Sequence, residues 1–589
     1  SSYKCQKNVI LETDKIFPLF SIVKPLIIIE YHNDSKGGNM TTDRVTLPTY
    51  SFSETCSSVT NGIISFFLLV LVTVFPLVVH NSYFDILETK YMCFYLTVLI
   101  MLGVLLLAGL IMLFIDIKEF QGTHAKELFG KLKPNCWKST FSIADMAVFI
   151  FWLASVISTL QSEYLYESFW GNEGRYSGLF LITLYVVLYF IVSHFWHMKA
   201  WMFQCFLAAS LAVCLIGISD SFYMDLLHFR THMKQDQFVI FVSTIGNINS
   251  YTAYVSVFMG LATAMFTTTK SLRSSIWYYF CMIVSFFAII LGSSDNAYLA
   301  LGALFAFLPL IVFRKRTGII RYFITLATFA TVIQCIDLIC QTIPDKVSGP
   351  ESLFKILVNL PGLPLLVIGL WIISGIIWYF FTKKEHTVFS SETHFLKAWK
   401  ILVALGFLAV FLLLTDANIL GHGARYGSLG TYLVFNDQWG TNRGFIWRKS
   451  LELFSHFPLS HKLFGFGPDT FGILTTKSAF KEMIAATGQI FDTAHNEYLQ
   501  YLLTIGPIAL IAYLIFLINS CQHMARYVLK ALTTESTAVP YATGCLFAVI
   551  CYGFQAFVNL NLPIITPFLW ITLSMGIATV KKYTVHKVK

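Results

Sequence analysis

The chain has 589 residues, of which 56% are hydrophobic and only 12% charged, and its mean hydropathy is +0.67. Soluble domains carry about a quarter charged residues, so that class is excluded and a polytopic membrane protein is expected. The net charge of +9, from 41 basic and 32 acidic residues, is then read loop by loop as a report of orientation rather than as a nucleic-acid footprint.

The chain starts without Met, and Ser1 to Asn39 lacks the shape of a signal peptide. Lys36-Gly37-Gly38, just before Met40, fits a purine-rich ribosome-binding sequence. Met40 is therefore expected as the start, with residues 1–39 as leader, and N-terminal sequencing of a product that begins upstream would refute this. The apolar piece Phe17 to Ile29 is too short for a span.

Apolar spans are predicted near 60–80, 92–115, 142–160, 178–195, 201–219, 250–267, 276–292, 296–313, 319–340, 363–381, 398–415, 498–519, 540–558 and 563–580. One set of alternate loops is basic: Lys118, Lys126, Lys131, Lys133 and Lys138, then Lys199, Lys270, Arg273, Arg314, Lys315, Arg316, Lys383, Lys384, Arg526 and Lys530, with Lys581-Lys582 in the tail. The other set carries Glu163, Glu167, Glu173, Asp295 and the long stretch from Asp416 to Asn496. Basic loops stay cytoplasmic, so both termini are expected in the cytoplasm and the long loop outside. The fold class is all-α and polytopic, with about fourteen transmembrane helices, of which twelve would suffice as a core. The domains follow: 1–59 as an N-terminal cytoplasmic segment, 60–415 as eleven helices, 416–496 as a large extracytoplasmic catalytic loop, and 497–589 as three helices and a cytoplasmic tail.

Many of the 12 cysteines lie inside spans, including Cys93, Cys205, Cys214, Cys281 and Cys551, where they act as small hydrophobes. No CxxC or Cys/His spacing points to a metal or a disulfide framework, and no internal repeat of the kind common in transporters stands out. The long loop is rich in Phe, Trp, Leu and Gly-Pro turns, which argues against disorder and for a functional loop.

Four outward segments concentrate the unusual polar residues. They are Trp170 to Leu179, Ser243 to Tyr251, Arg443 to Arg448 with Phe464 to Phe471, and His495 to Gln500. Gly246-Asn247-Ile248-Asn249 looks like a GN-x-N span entry. Arg443-Gly-Phe-Ile-Trp447, then Gly465-Phe-Gly-Pro468, is similar to an Arg-x-x-x-Trp and GxGP run. His495-Asn496-Glu497-Tyr498-Leu499 and Gly506-Pro507 complete an HN-x-(Tyr)-Leu…Gly signature. In order and spacing these resemble the O-antigen ligase and O-antigen polymerase superfamily, most densely from Gly246 to Gly506.

That resemblance implies a GT-C-like bacterial enzyme of the cytoplasmic membrane that moves a glycan from a polyprenyl-diphosphate carrier to a glycan, lipid or protein acceptor. Membrane lipids are the surrounding partner, and no cofactor, metal or nucleic acid is implied. A departing diphosphate needs fixed positive charge, which Arg supplies bidentately, and an acceptor hydroxyl needs a base titrating near neutrality. Arg443 and His495 are assigned as catalytic. Arg175, Arg425, Asn496, Asn247 and Asn249 are assigned to substrate binding. Arg175 and Arg425 both open an Arg-x-x-x-Leu pattern, so either fits as the second arginine. Glu497 is expected to hold His495 or to face solvent.

Plainer readings stand beside these. An arginine beside a span is often an interfacial anchor, and Arg448 fits that role. Asn247 and Asn249 are equally suited to capping a helix. Trp447 reads as packing, Gly465, Gly467 and Pro468 as a turn, His422, His456 and His461 as loop structure, and the three glutamates as a solvated rim. The chain also departs from the family: Ser293-Ser294-Asp295-Asn296 stands where many members have Ser-Arg-Gly, and no Arg directly precedes Gly246. The rival class is a lipid-linked glycan flippase or secondary transporter, which would place ionisable groups nearer the midplane.

Overall fold

A computed structural model of the chain describes residues 51–585, apart from 132, 134–135, 137–139, 232, 235–236, 350–352, 383–392 and 535. The expectations for residues 1–39, Met40, Phe17 to Ile29, Lys138, Lys383 and Lys384 fall outside the described residues, as does the side chain of Lys582.

The first half of the bundle contains α1 (Phe52–Leu77), α2 (Ile86–Phe120), α3 (Thr123–Gly130), α4 (Ile143–Leu160), α5 (Leu165–Trp170), α6 (Leu179–Phe195) and α7 (Ala200–Ser221). A short antiparallel pair, β1 (Phe241–Val242) and β2 (Gly246–Asn247), leads into α8 (Ile248–Thr268). Next come α9 (Leu272–Leu291), α10 (Asn296–Val312), α11 (Arg316–Thr342), α12 (Leu353–Val358), α13 (Leu363–Thr382) and α14 (His394–Asn418). The long connection holds α15 (Gly430–Leu433), α16 (Trp439–His456), α17 (Leu459–Phe464) and α18 (Phe471–Thr487). Then α19 (Glu497–Thr504), α20 (Gly506–Thr534), α21 (Val539–Gln555) and α22 (Thr566–Val585) close the chain.

Thirteen of the fourteen predicted spans each fall on one helix, and the one near 498–519 is broken between α19 and α20. Among the described residues ten helices are long and apolar enough to cross a membrane, and α6 and α10 are shorter apolar helices. The chain is therefore an all-α polytopic membrane protein, as expected. The less apolar α8 has a clear reason for its polarity. Every residue from Ser250 to Thr267 is buried, so its Ser and Thr hydroxyls meet protein rather than lipid, and those of Thr252, Ser256 and Thr267 bond back to the preceding turn, Ser256 Oγ to Thr252 O at 2.7 Å. By contrast, no residue of the apolar window of α14 is buried, and that helix is built almost wholly of Leu, Val, Phe and Ala.

Alternating helix directions gather the connections after α4, α7, α9, α11, α14 and α21 at one end of the bundle, called here the site end. Cross-links there join them: Asn172 N to Asp469 Oδ2 at 2.7 Å, Ser348 N to Ser221 O at 2.7 Å, and Asn559 Nδ2 to Asn249 O at 2.9 Å. The opposite end joins Lys581 Nζ to His194 Nε2 at 3.0 Å and Thr393 Oγ1 to Phe313 O at 3.2 Å. A fully buried Lys90 on α2 finishes α1, donating to Phe75 O, Pro76 O and Val78 O at 3.0, 3.1 and 3.1 Å. Those carbonyls lie at the helix end, beyond the reach of its own amides.

Residues between α14 and α19 have a hydrophobic core of their own. Phe445, Ile446, Phe471, Met483, Phe491, Ala494 and Leu503 pack together there, separate from the bundle core. This explains why so polar a stretch also carries so many aromatic residues.

Candidate functional site

The site end is shaped by the glycine turn at Gly465–Pro468. Phe466 N and Gly467 N donate to Leu503 O and Thr504 O at 3.2 and 2.8 Å, so the turn is laced to the end of α19. Gly467 has φ +117, and a Cβ there would run into the hydroxyls of Ser168 and Ser162. Only glycine lets the turn pass that close with that backbone.

Asp469, directly after the turn, is 7% exposed. It accepts from Asn172 N at 2.7 Å and Ser177 N at 3.3 Å, which pins the loop between α5 and α6 that carries Arg175. Burial pushes its carboxyl up to about 7, against the pull of those two amides and of Arg175. Arg175 in turn meets Asp492 with both arms of its fork: Nε donates to Oδ2 at 2.9 Å and the second arm reaches Oδ1.

Arg443 sits where α16 becomes regular. Gly440, Thr441 and Asn442 ahead of it are left-handed, with φ of 58°, 60° and 69°. Its side-chain stem lies over Gly440. Gly444 follows because a Cβ at that position would strike Asn436 O. The guanidinium makes no hydrogen bond or ion pair among the described residues. Burial works against its charge and Asp295, at the start of α10, works for it; as a guanidinium it stays protonated.

His495 precedes α19 with φ 47°, a left-handed conformation that is uncommon away from glycine and often found at functional sites. Its ring stands edge-on to Phe491 at 6.0 Å, and its Nδ1 is buried without a hydrogen-bond partner. Burial first, then the Arg443 and Arg175 guanidiniums, pull the imidazole down to about 3, with Asp492 opposing. The ring is neutral at physiological pH. Arg443, Arg175 and His495 thus share one electrostatic neighbourhood, although they come from three separate stretches of chain.

The other expected residues lie as follows. Arg425 pairs with Asp416 at 2.5 Å and lies over the Tyr426 ring at 5.4 Å, and it is not among the charges acting on His495. Asn496 caps α19, its side chain accepting from Tyr498 N and Leu499 N at 3.0 Å each. Asn247 caps α8 by accepting from Asn249 N at 2.9 Å. Asn249 Oδ1 accepts from Ser294 Oγ at 2.6 Å, and its carbonyl accepts from Asn296 Nδ2 and Asn559 Nδ2 at 3.1 and 2.9 Å, so it ties α8 to two neighbouring connections.

Glu497 neither holds His495 nor faces solvent. It is 1% exposed and accepts from Tyr513 and Tyr552 hydroxyls at 2.7 and 2.9 Å. At the first position of α19 its side chain turns into the bundle, where two phenols satisfy it. Trp447 packs against Trp439 and Phe557 and also donates to Ala494 O at 2.8 Å, steadying the backbone beside His495. Arg448 is engaged with Asp437 at 2.7 Å, and His461 stacks on Phe466 at 3.9 Å. Among the described residues no three His, Cys, Asp or Glu side chains group as metal ligands.

Asp469, Asp492 and Asp295 carry no site role in the sequence reading, yet each acts on the arginines or on His495. Asp469 follows the GxGP turn and Asp492 lies three residues before His495, so both adjoin recognisable motifs. Their partner, however, is a loop some 300 residues away (317 for the Arg175–Asp492 pair).

Residues 356–514 match the family model described as O-antigen ligase. That stretch of the chain is O-antigen ligase-like. No curated protein matches the chain. The matched stretch contains Arg443, the glycine turn, Asp492 and His495, whereas Arg175 and the Asn247–Asn249 pair reach this ligase-like region from outside it.

Proposed function

We propose that this ligase-like protein transfers a glycan from a polyprenyl-diphosphate carrier to an acceptor hydroxyl at the outer face of the bacterial cytoplasmic membrane. Residues 416–496 form the extracytoplasmic catalytic part and both termini are cytoplasmic, in keeping with the basic loops at the opposite end of the bundle. The observation that carries this reading is the unpartnered Nδ1 of His495 within electrostatic range of Arg443 and Arg175.

The acceptor oxygen attacks the anomeric carbon as the bond from that carbon to the diphosphate oxygen breaks. The electron pair leaves with the diphosphate, and the acceptor proton passes to His495. Arg443, whose guanidinium has no hydrogen bond of its own among the described residues, is suited to meet the developing negative charge. Arg175, held by Asp492, supplies a second and pre-oriented cation. A bound diphosphate would offset both guanidiniums and restore proton affinity to His495 when the base is needed. In this reading the arginines take the part that a divalent ion plays elsewhere, and transfer is metal-independent.

Reconstitution with a labelled polyprenyl-diphosphate glycan tests it. The wild-type protein is expected to form new glycosidic linkages, and Arg443→Ala and His495→Ala to lose them. Equal transfer by both variants would reject the site, and glycan translocated without any new linkage would favour a transporter. Single repeat units accumulating in a deletion strain would mark a polymerase, and carrier-bound long chains a ligase.

A further inference from the structure

At the end of the bundle opposite the arginine–histidine site, α4, α6, α20 and α22 bring together a second polar cluster that the proposed transfer does not use. We infer that this cluster binds a phosphate group, supplied by the headgroup of an anionic phospholipid.

The cluster is built around Asp145, which is 1% exposed. Both of its oxygens are already engaged: Oδ1 accepts from the Tyr189 hydroxyl at 2.8 Å, and Oδ2 accepts from Ser142 N and Ser142 Oγ at 2.7 and 2.8 Å. His194 Nε2 lies 3.6 Å from Oδ2. Lys581 Nζ lies 3.0 Å from the same ring nitrogen. A lysine ammonium only donates, so Nε2 accepts and the ring proton sits on Nδ1, which faces Ser193 Oγ at 2.9 Å. His194 is therefore neutral and does not neutralise the lysine. His523 of α20 lies within electrostatic range of Lys581, Arg526 and Asp145. Arg526 spends one arm on a neutral partner, Gln522 Oε1 at 3.3 Å.

Lys581 and Arg526, from two helices, thus both lie within electrostatic range of His523, against the one carboxylate of Asp145, so positive charge is in excess among these groups. Such an excess costs free energy unless a further anion sits among the donors. A phosphate accepts from Lys and Arg at once. Helix ends rich in basic residues lie at the depth of phospholipid headgroups, and basic pockets between transmembrane helices are where such headgroups bind.

The test compares apparent melting temperature of the full chain in phosphatidylcholine vesicles, in the same vesicles containing phosphatidylglycerol, and in phosphatidylcholine with inorganic phosphate added. The wild-type protein is expected to melt a few degrees higher with phosphatidylglycerol. That shift should vanish in Lys581→Gln/Arg526→Gln, survive in Lys581→Arg, and survive in Arg273→Gln, which removes a cation from another basic loop. A shift with inorganic phosphate alone would keep the phosphate site and exclude the lipid as its necessary source. No shift in either arm, or an equal shift in Lys581→Gln/Arg526→Gln, overturns the inference.

Discussion

Replacing Asp469 by asparagine isolates the electrostatic cost of the carboxylate that holds the Arg175 loop. Its ordinary value of 3.8 is pushed up to about 7 by burial. Below about pH 4 the folded and unfolded chains both keep the proton. Between about 4 and about 7 the unfolded chain has lost it while the folded chain retains it, so stability falls as pH rises, and the loss levels off above about 7. Counting that one proton, the wild-type protein loses roughly 2–3 kcal/mol from this group between about pH 5 and about pH 8. Asparagine does not titrate. At the lower pH it replaces a protonated acid of nearly the same shape, and the difference between the two proteins there is the reference. At the higher pH Asp469→Asn should gain on the wild type by that amount, read as apparent unfolding midpoints by tryptophan fluorescence in detergent. An unchanged difference at the two pH values, or an asparagine variant that falls behind as pH rises, refutes the reasoning. Asp469→Ala is the contrasting case: it strands the Asn172 and Ser177 amides, at about 1–3 kcal/mol each, and should be less stable than either at both pH values.

Two further outcomes bear on the chemistry. Because His495 is held down to about 3, the pH profile of transfer at limiting donor should show no acid limb near the ordinary imidazole value, and Arg443→Gln should move that limb upward. A wild-type half-maximum near 6.5 would contradict the burial and charge assigned to the ring. Asp492→Asn removes the partner that orients Arg175, and the donor KM should rise about 3–10-fold with kcat less affected. A fall in KM would mean instead that Asp492 competes with the diphosphate for the guanidinium.

Much of the architecture was legible before any coordinates, because lipid imposes long apolar runs that a linear reading detects. Thirteen of the fourteen predicted spans each coincide with one helix, and the departures are instructive. α8 is polar enough to escape a strict hydropathy criterion because protein, not lipid, surrounds it. Around the candidate site the motifs located Arg443, His495 and the glycine turn, each within a short stretch of chain. They could not say that Glu497 points into a nest of tyrosines, nor that Arg175 is clamped by Asp492 while Arg425 is occupied by Asp416.

Composition and local spacing, then, determined membrane residence, the helices, and the residue types able to meet a diphosphate. Which arginine faces the histidine and which carboxylates hold it were decided by tertiary structure. The Arg175–Asp492 and Asn172–Asp469 relations join residues 317 and 297 positions apart, and a charge acts through space, where neighbours along the chain carry no record of it.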